Sequence, residues 1–491
     1  MTEKLLTMRG TSLVFVAIAA ACFVVADVSI DTLDPWREFA RMLSGAVNPN
    51  FAGVENLIDA LVKTVAFALL GVALGSACGF GLSLLFHRRA VRLVCAFVRA
   101  IHELFWALLF LQAFGLNPLT GLLAIALPYA GTFAKVYAEI MEEGDRRPLE
   151  SLPATTSALS AFLFARLPDA WPHLKTYTLY RLECGLRSSA ILGFVGLPTL
   201  GYYLHTAFME GHYQELAALL FLFFGLIASI RWWVRPKLLP VYLGVAPFFL
   251  GGAAPINWDN VVRFFTSDIV PAPLRSGGSL SDLGVWASDL FINQALPGLI
   301  NTVVLTQIAL VATGIVALAA FPVVSSQFFG RIGRTFGHLG LVVMRSTPEY
   351  ILAFVFLQLW GPSMLPAIVA LALHNGAIIG HLLGRYSNEL PLRLDRARGL
   401  DLYGYEIVPR IYGQFLAFLF YRWEIIMRET AILGILGIAT LGFYVDSAIQ
   451  DIRLDRAMAL ILFTAALNIC IDALSRRIRA RLRLKTTPEC T

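Results

Sequence analysis

Apolar residues run through this chain in blocks of roughly 20, divided by short polar connections from one end to the other. A helix needs about 20 mostly apolar residues to cross the hydrocarbon core of a bilayer. Twelve blocks are predicted to be spanning helices, near 12–28, 60–86, 94–114, 118–140, 174–196, 214–232, 238–253, 295–323, 339–360, 363–384, 412–436 and 456–474. The pattern therefore predicts an all-α polytopic membrane protein.

Composition agrees, with 57% hydrophobic and only 15% charged residues, where soluble domains carry about a quarter charged. The net charge of +6 does not point to nucleic acid, because the basic residues cluster in short loops. With an inside N-terminus, the even-numbered connections hold His87, Arg88, Arg89 and Arg92, then Arg146 and Arg147, then Arg235 and Lys237, then Arg331 and Arg334, then Arg393, Arg396 and Arg398. The tail Arg476-Arg477-Ile478-Arg479 falls inside as well. Short cytoplasmic loops are enriched in Lys and Arg, so this bias predicts both termini in the cytoplasm. Lys4 and Arg9 before the run 12–28 would also suit a cleaved signal peptide, but a retained helix keeps the charge topology consistent. The outer segment 254–293 alternates apolar and polar stretches near 279–293, which fits either an interfacial segment or a packed loop. Cys22, Cys78, Cys95, Cys184, Cys470 and Cys490 sit in apolar spans or basic loops and tail, which argues against a disulfide framework or a metal site.

The chain is a duplication. Arg99, Glu103, Leu111, Gln112, Gly115, Ala126 and Leu127 recur 246 residues later as Arg345, Glu349, Leu357, Gln358, Gly361, Ala372 and Leu373. Tyr180-Arg181-x-Glu183-x-x-x-Arg187 recurs 241 residues later as Tyr421-Arg422-x-Glu424-x-x-x-Arg428, and Ala190-Ile191-Leu192-Gly193-x-x-Gly196 as Ala431-Ile432-Leu433-Gly434-x-x-Gly437. The repeats are predicted to be 1–237, with a core near 60–232, and 238–491, with a core near 295–474, each a leader helix plus five core helices. Both cores begin outside, so they are parallel, related by an axis along the membrane normal with the pathway near it.

Polar inner segments near 141–173 and 385–411 separate the repeat blocks. In each, a short helix, a break and a proline would form a knob, though an ordinary cytoplasmic loop fits too. Here the sequence resembles the inner-loop signature of binding-protein-dependent ABC importers. The block Tyr177-x-x-Tyr180-Arg181-x-Glu183, followed by Ala190-Ile191-Leu192-Gly193, resembles the phosphonate-uptake permeases of that class, over most of the chain. The resemblance implies that the knobs dock on a cytoplasmic ATPase, through Glu150, Leu167 and Pro168 in one copy and Gly399 and Pro409 in the other. Thr156 stands about where the signature has glycine, and Arg393 about where it has glutamate. The family also implies that Gly193, Gly196, Gly201, Gly434, Gly437 and Gly442 line an outer gate; plain helix packing would use them as well. Implied partners are two ATPase subunits and a periplasmic or lipid-anchored binding protein, in the bacterial inner membrane. The implied substrate is phosphonate, with phosphite or a phosphate ester as relatives in chemistry.

Ionisable groups within spans are costly and default to paired or functional roles. Glu183 with Arg187, and Glu424 with Arg428, stand one turn apart and can pair. Alternatively the arginines Arg181, Arg187, Arg422 and Arg428 could meet an oxyanion, which guanidinium matches well. Glu103 and Glu349 are expected to pair with arginine or cap backbone. Lys63 and Lys135 can snorkel. His374 and His381 read as hydrogen-bonded core histidines or as proton-relay groups. No Gly-Lys dipeptide occurs, so this sequence holds no phosphate-binding loop for ATP, and hydrolysis is assigned to another polypeptide. No nucleophile elbow or zinc-ligand spacing appears. The chain itself is expected to bind no cofactor or metal and to be no enzyme. The competing reading is a gradient-driven transporter of two six-helix halves, using His374, His381 or Glu349 as carriers.

Overall fold

The computed structural model describes residues 2–31, 34–144, 147–153, 155–252, 255–393 and 398–484. Arg146, Arg396 and Cys490, named above, lie outside the described residues. The described chain is helical and contains no strand. The helices used below are α1 (Thr2–Val25), α2 (Leu57–Leu84), α3 (Arg89–Ala100), α4 (Glu103–Phe114), α5 (Pro118–Glu143), α6 (Leu167–Ile191), α7 (Leu200–Met209), α8 (Tyr213–Ala228) and α9 (Leu239–Phe249). They continue with α10 (Leu296–Ala320), α11 (Arg331–Ser346), α12 (Glu349–Trp360), α13 (Met364–Asn388), α14 (Val408–Ile435), α15 (Leu441–Gln450) and α16 (Leu454–Arg481).

Among the described residues, six helices are long and apolar enough to cross a membrane, and eight if each of two bent pairs is one span. The other four expected spans are also helices: α6 and α14 are long but carry arginines and glutamates, and α8 and α9 are shorter, at 16 and 11 residues. Two expected spans are not straight. The block 94–114 is α3 and α4, bent by 90° at Ile101, and 339–360 is α11 and α12, bent by 93° at Thr347. Their first members place arginines and apolar residues on opposite faces, which suits a membrane surface better than its interior. At 279–293 the structure gives a helix and not a loop. Ser279 and Asp282 form a capping box, and one helical run continues from Leu280 to Val324, 45 residues. At 1.5 Å per residue that is about 68 Å, over twice the ~30 Å hydrocarbon core, so its first part projects beyond the bilayer. Asp289 anchors the projection to α16 through Arg456 at 2.9 Å.

The repeat boundary at 237/238 is not where the packing divides. One compact unit comprises residues 41–268; the other joins 1–40 to 269–491. The leader helices account for the difference. Helix α9, which opens the second repeat, lies against α2 of the first core, and α1 lies along α10 of the second. The α1 contact is specific: Phe15 sits edge-on to Phe420 and Trp423, Tyr412 donates a hydrogen bond to Ser12 Oγ (2.7 Å), and Gln307 donates to the Phe15 carbonyl (3.3 Å).

Within each core the first and third helices pack most closely, for a reason visible in sequence. Gly71, Gly75 and Gly79 recur every fourth residue on α2 and let it approach Ile125, Ala126 and Phe133 of α5. In the second core the same interface takes its glycines from the other partner, Gly376, Gly380 and Gly384 of α13, against Val316, Ala317, Ala320 and Phe321 of the α10 segment.

Candidate functional site

In each core, α4, α5 and α6, or their counterparts α12, α13 and α14, bring four polar positions together. The first core places Glu103 in the first turn of α4, Tyr129 on α5, and Arg181 and Ser188 on α6. Ser188 Oγ donates to Glu103 Oε1 at 2.7 Å and lies 3.2 Å from the Tyr129 hydroxyl. The Arg181 guanidinium lies over the rings of Tyr129 (5.7 Å) and Tyr177 (5.3 Å), and its Nε donates to the Tyr177 hydroxyl at 2.7 Å. Stacking holds the guanidinium charge in place.

The second core repeats the geometry with other residues. Glu349 opens α12, Asn375 replaces Tyr129, Glu429 replaces Ser188, and Arg422 replaces Arg181. Arg422 Nη1 donates to Asn375 Oδ1 (3.2 Å), and Asn375 Nδ2 donates to Glu429 Oε2 (2.9 Å). His374 Nε2 lies 4.0 Å from Glu349 Oε2. Its Nδ1 is 2.9 Å from the Thr347 carbonyl oxygen, which can only accept, so Nδ1 carries the proton. His374 is thus a hydrogen-bonded, 1% exposed histidine with its second nitrogen facing a carboxylate. His381 sits apart, its ring 5.0 Å from that of His338.

Tyr129, Ser188, Asn375 and Glu429 do not stand out in the sequence, because the two copies carry different residues at these positions. The one-turn pairing of Glu183 with Arg187 is not formed among the described residues; Arg187 Nη2 instead approaches Cys184 Sγ at 3.7 Å. Glu424 and Arg428 keep the matching places on α14. Lys63 and Lys135 each face an acid one turn away, Asp59 at 2.6 Å and Glu139 at 3.9 Å. Replacing Ser188 by alanine is expected to destabilise the chain by about 1.5–3 kcal/mol, the range for hydrogen bonds to charged groups, checked by thermal unfolding in detergent.

Beyond α6 the backbone turns sharply at Gly196 (φ +90°), and beyond α14 at Gly437 (φ +87°), a conformation that glycine adopts freely. Each turn folds a short helix, α7 or α15, back on the helix before it. A Cβ on Gly193 would collide with the Tyr202 amide, and one on Gly201 with the Ala190 carbonyl. Gly434 and Gly442 stand in the same relation to Phe443 and Ala431. Thr64 Oγ1 accepts from Leu200 N (2.8 Å), and Thr302 Oγ1 from Leu441 N (3.0 Å), fixing both hairpins to the first helix of their core.

At the opposite end of α6 and α14 lie the expected knobs; in the first, the short turn Arg147–Glu150 is separated by a non-helical stretch from the helix that begins at Ala158. Ser157 caps a helix that runs from Ala158 through a wide π-type turn, Phe162–Arg166, into α6. In the second copy the run starts at Gly399 (φ +61°) and passes through the π-type turn Leu402–Ile407 into α14. Pro168 and Pro409 follow these turns directly; proline cannot donate to the preceding turn, and the widened ladder relieves its ring. The 241-residue offset sets Gly399 opposite Ala158, two residues past Thr156. Glu150 closes the separate turn Arg147–Glu150 and is exposed, while Leu167 is half-buried. In the second copy Arg410 donates to the Pro391 carbonyl (2.6 Å), the Arg393 amide donates to Glu406 (3.1 Å), and Tyr403 stacks on Phe321. On both helices a pair of large apolar side chains points into open space: Leu159 and Phe164, then Leu400 and Tyr405, again 241 residues apart.

Residues 317–484 match the family described as binding-protein-dependent transport system inner membrane component. The chain is 25% identical to the phosphate-import permease protein PhnE of Mycolicibacterium smegmatis, across 95% of this chain and 93% of that protein. It is 26% identical to the phosphite transport system permease protein PtxC of Stutzerimonas stutzeri, across 45% of this chain and 84% of that protein. It is 32% identical to the putative cryptic phosphonate transport system permease protein PhnE2 of Escherichia coli K12, across 21% of this chain and 84% of that protein. No solved structure matches.

Proposed function

This chain belongs to the family of binding-protein-dependent transport system inner membrane components, and from that premise we propose that it carries a phosphorus oxyanion, most simply a phosphonate, into the cytoplasm. It is a multi-pass permease subunit of an ABC importer, not itself an enzyme, and the family works with an ATPase and a substrate-binding protein. The match to PhnE across nearly the whole chain supports a fused pair of permease cores, and sets aside the gradient-driven transporter.

Two ATPase subunits bind at the inner face, one beneath each of the helices Ala158–Ala161 and Gly399–Asp401, and a binding protein delivers substrate from outside. Both termini lie in the cytoplasm. Closure of the ATPases moves α6 and α14, because each short helix is continuous with a long one. That motion reaches the glycine hairpins at the far ends, which act as the outer gate. ATP can drive the change only through contacts that differ between the two states, and the exposed apolar pairs supply them. Arg181 and Arg422 are the substrate-facing charges. The observation that carries this reading is the repeated arginine at one position of both polar clusters, in a chain similar to permeases named for phosphate, phosphite and phosphonate.

The test is uptake into proteoliposomes holding this chain with its ATPase, given binding protein and labelled methylphosphonate, phosphite or phosphate. Uptake should require ATP hydrolysis and survive an uncoupler. Replacing Arg181 or Arg422 by lysine keeps the charge but loses the planar fork, and should reduce uptake about tenfold. Uptake abolished by the uncoupler while ATP persists would sink the proposal.

A further inference from the structure

We infer that Glu349, His374 and Glu429 form a binding site for one divalent transition-metal ion in the second core. One ligand atom from each residue lies within 4.8 Å of the others, and all three residues are buried. The three come from three helices, α12, α13 and α14, and Glu349 and Glu429 belong to the polar cluster that also holds Asn375 and Arg422. His374 Nε2 and Glu349 Oε2 are 4.0 Å apart, somewhat wider than the ~3.4 Å between neighbouring ligands of a tetrahedral ion with ~2.1 Å bonds, so a small side-chain shift would close them on one ion.

The surroundings fit a metal ligand set. A metal-ligating histidine characteristically donates its other ring N–H to a carbonyl or carboxylate, which fixes ring orientation and tautomer. His374 does so to the Thr347 carbonyl at 2.9 Å, which aims Nε2 at the acids. Glu429 is held in turn by the Asn375 amide at 2.9 Å. Two carboxylates and one neutral imidazole balance a divalent charge, and so remove the cost of burying two like charges side by side. One nitrogen and two oxygen donors suit Mn²⁺, Fe²⁺ or Zn²⁺ rather than Ca²⁺ or Mg²⁺, which take oxygen donors throughout.

The first core cannot copy the site. The positions of His374 and Glu429 are held there by Pro128 and Ser188, leaving Glu103 as the one carboxylate. The ion would therefore brace a single core, tying α12 to α13 and α14 just after the 93° bend at Thr347. The ligands are far apart in sequence, so no spacing motif announced them. This inference stands apart from the transport reading: the assay below scores metal, and either result leaves the substrate question where it was.

The test uses Mn²⁺, which avoids the chain's thiols, on the purified full-length chain in detergent. Electron paramagnetic resonance should show about one tightly bound Mn²⁺ per chain. Glu429→Gln and His374→Asn should each weaken binding at least tenfold, while Glu103→Gln binds as wild type does. Chelation should lower the thermal midpoint of the wild-type chain, and added Mn²⁺ should restore it; this measurement decides the matter if either variant fails to fold. Wild-type protein that takes up no Mn²⁺ and is indifferent to chelation would overturn the site, as would undiminished binding in both variants.

Discussion

Replacing Phe164 and Tyr405 together by alanine is expected to abolish ATP-driven uptake while leaving the chain folded. The two residues are 80% and 85% exposed, so neither contributes to the packing of its own core and the thermal midpoint should not move. Each stands five residues after a leucine, Leu159 or Leu400, that is 68% or 87% exposed. On the proposed reading, in which both helices face the ATPase, bare aromatic side chains at matched positions serve to fill pockets on that partner. Aromatic anchors of this kind typically contribute 2 kcal/mol or more to an interface. Losing one should weaken ATPase association about 30-fold, and losing both should leave ATP hydrolysis unresponsive to the binding protein. Single variants would also report whether the two helices share the load. Hydrolysis and uptake at wild-type levels in the double variant would refute the docking role.

The second large effect is expected at the hairpin glycines. In Gly201→Ala and Gly442→Ala the new methyl group meets the carbonyl of Ala190 or Ala431, and backbone cannot rotate aside as a side chain can. Overpacking ordinarily costs about 1–3 kcal/mol, and a collision with main chain belongs at or beyond the upper end. The thermal midpoint should fall sharply and uptake with it. Gly225→Ala is the control: it lies on α8 with open space around it, where alanine gains up to ~1 kcal/mol of helix propensity. A Gly442→Ala chain as stable as wild type would show that the hairpin is not a tight backbone contact.

The order of apolar helices was legible because each is a block of apolar residues, although only six of the twelve expected spans, or eight with the bent pairs, are long and apolar enough to cross a membrane among the described residues. The bends at Ile101 and Thr347 were not legible, because a hydropathy window averages over a helix that lies flat and one that stands up. The sequence did carry the distinction. Arg331, Arg334, His338 and Arg345 recur at helical spacing and mark a polar face on α11. Half of each polar cluster was found and half missed for one reason. Glu103 and Glu349, or Arg181 and Arg422, are identical between the copies and stand out in a repeat alignment. Ser188 and Glu429, or Tyr129 and Asn375, differ between the copies, and the same alignment passes over them. The partner of a leader helix was illegible in principle, since a helix apolar all round, as α1 is, fits many others.

That last feature bears on how the chain is made. Helix α1 leaves the ribosome well before the surface it covers, since α10 ends some 295 residues later. At roughly 5–20 residues per second, α1 spends on the order of 15–60 s in the bilayer before its neighbour exists, while the whole first core emerges and folds. Cutting the gene at the repeat boundary would separate α1 from the core it completes and α9 from its own. Two such fragments would have to find each other during assembly, so the fusion converts an encounter between subunits into a delay within one chain.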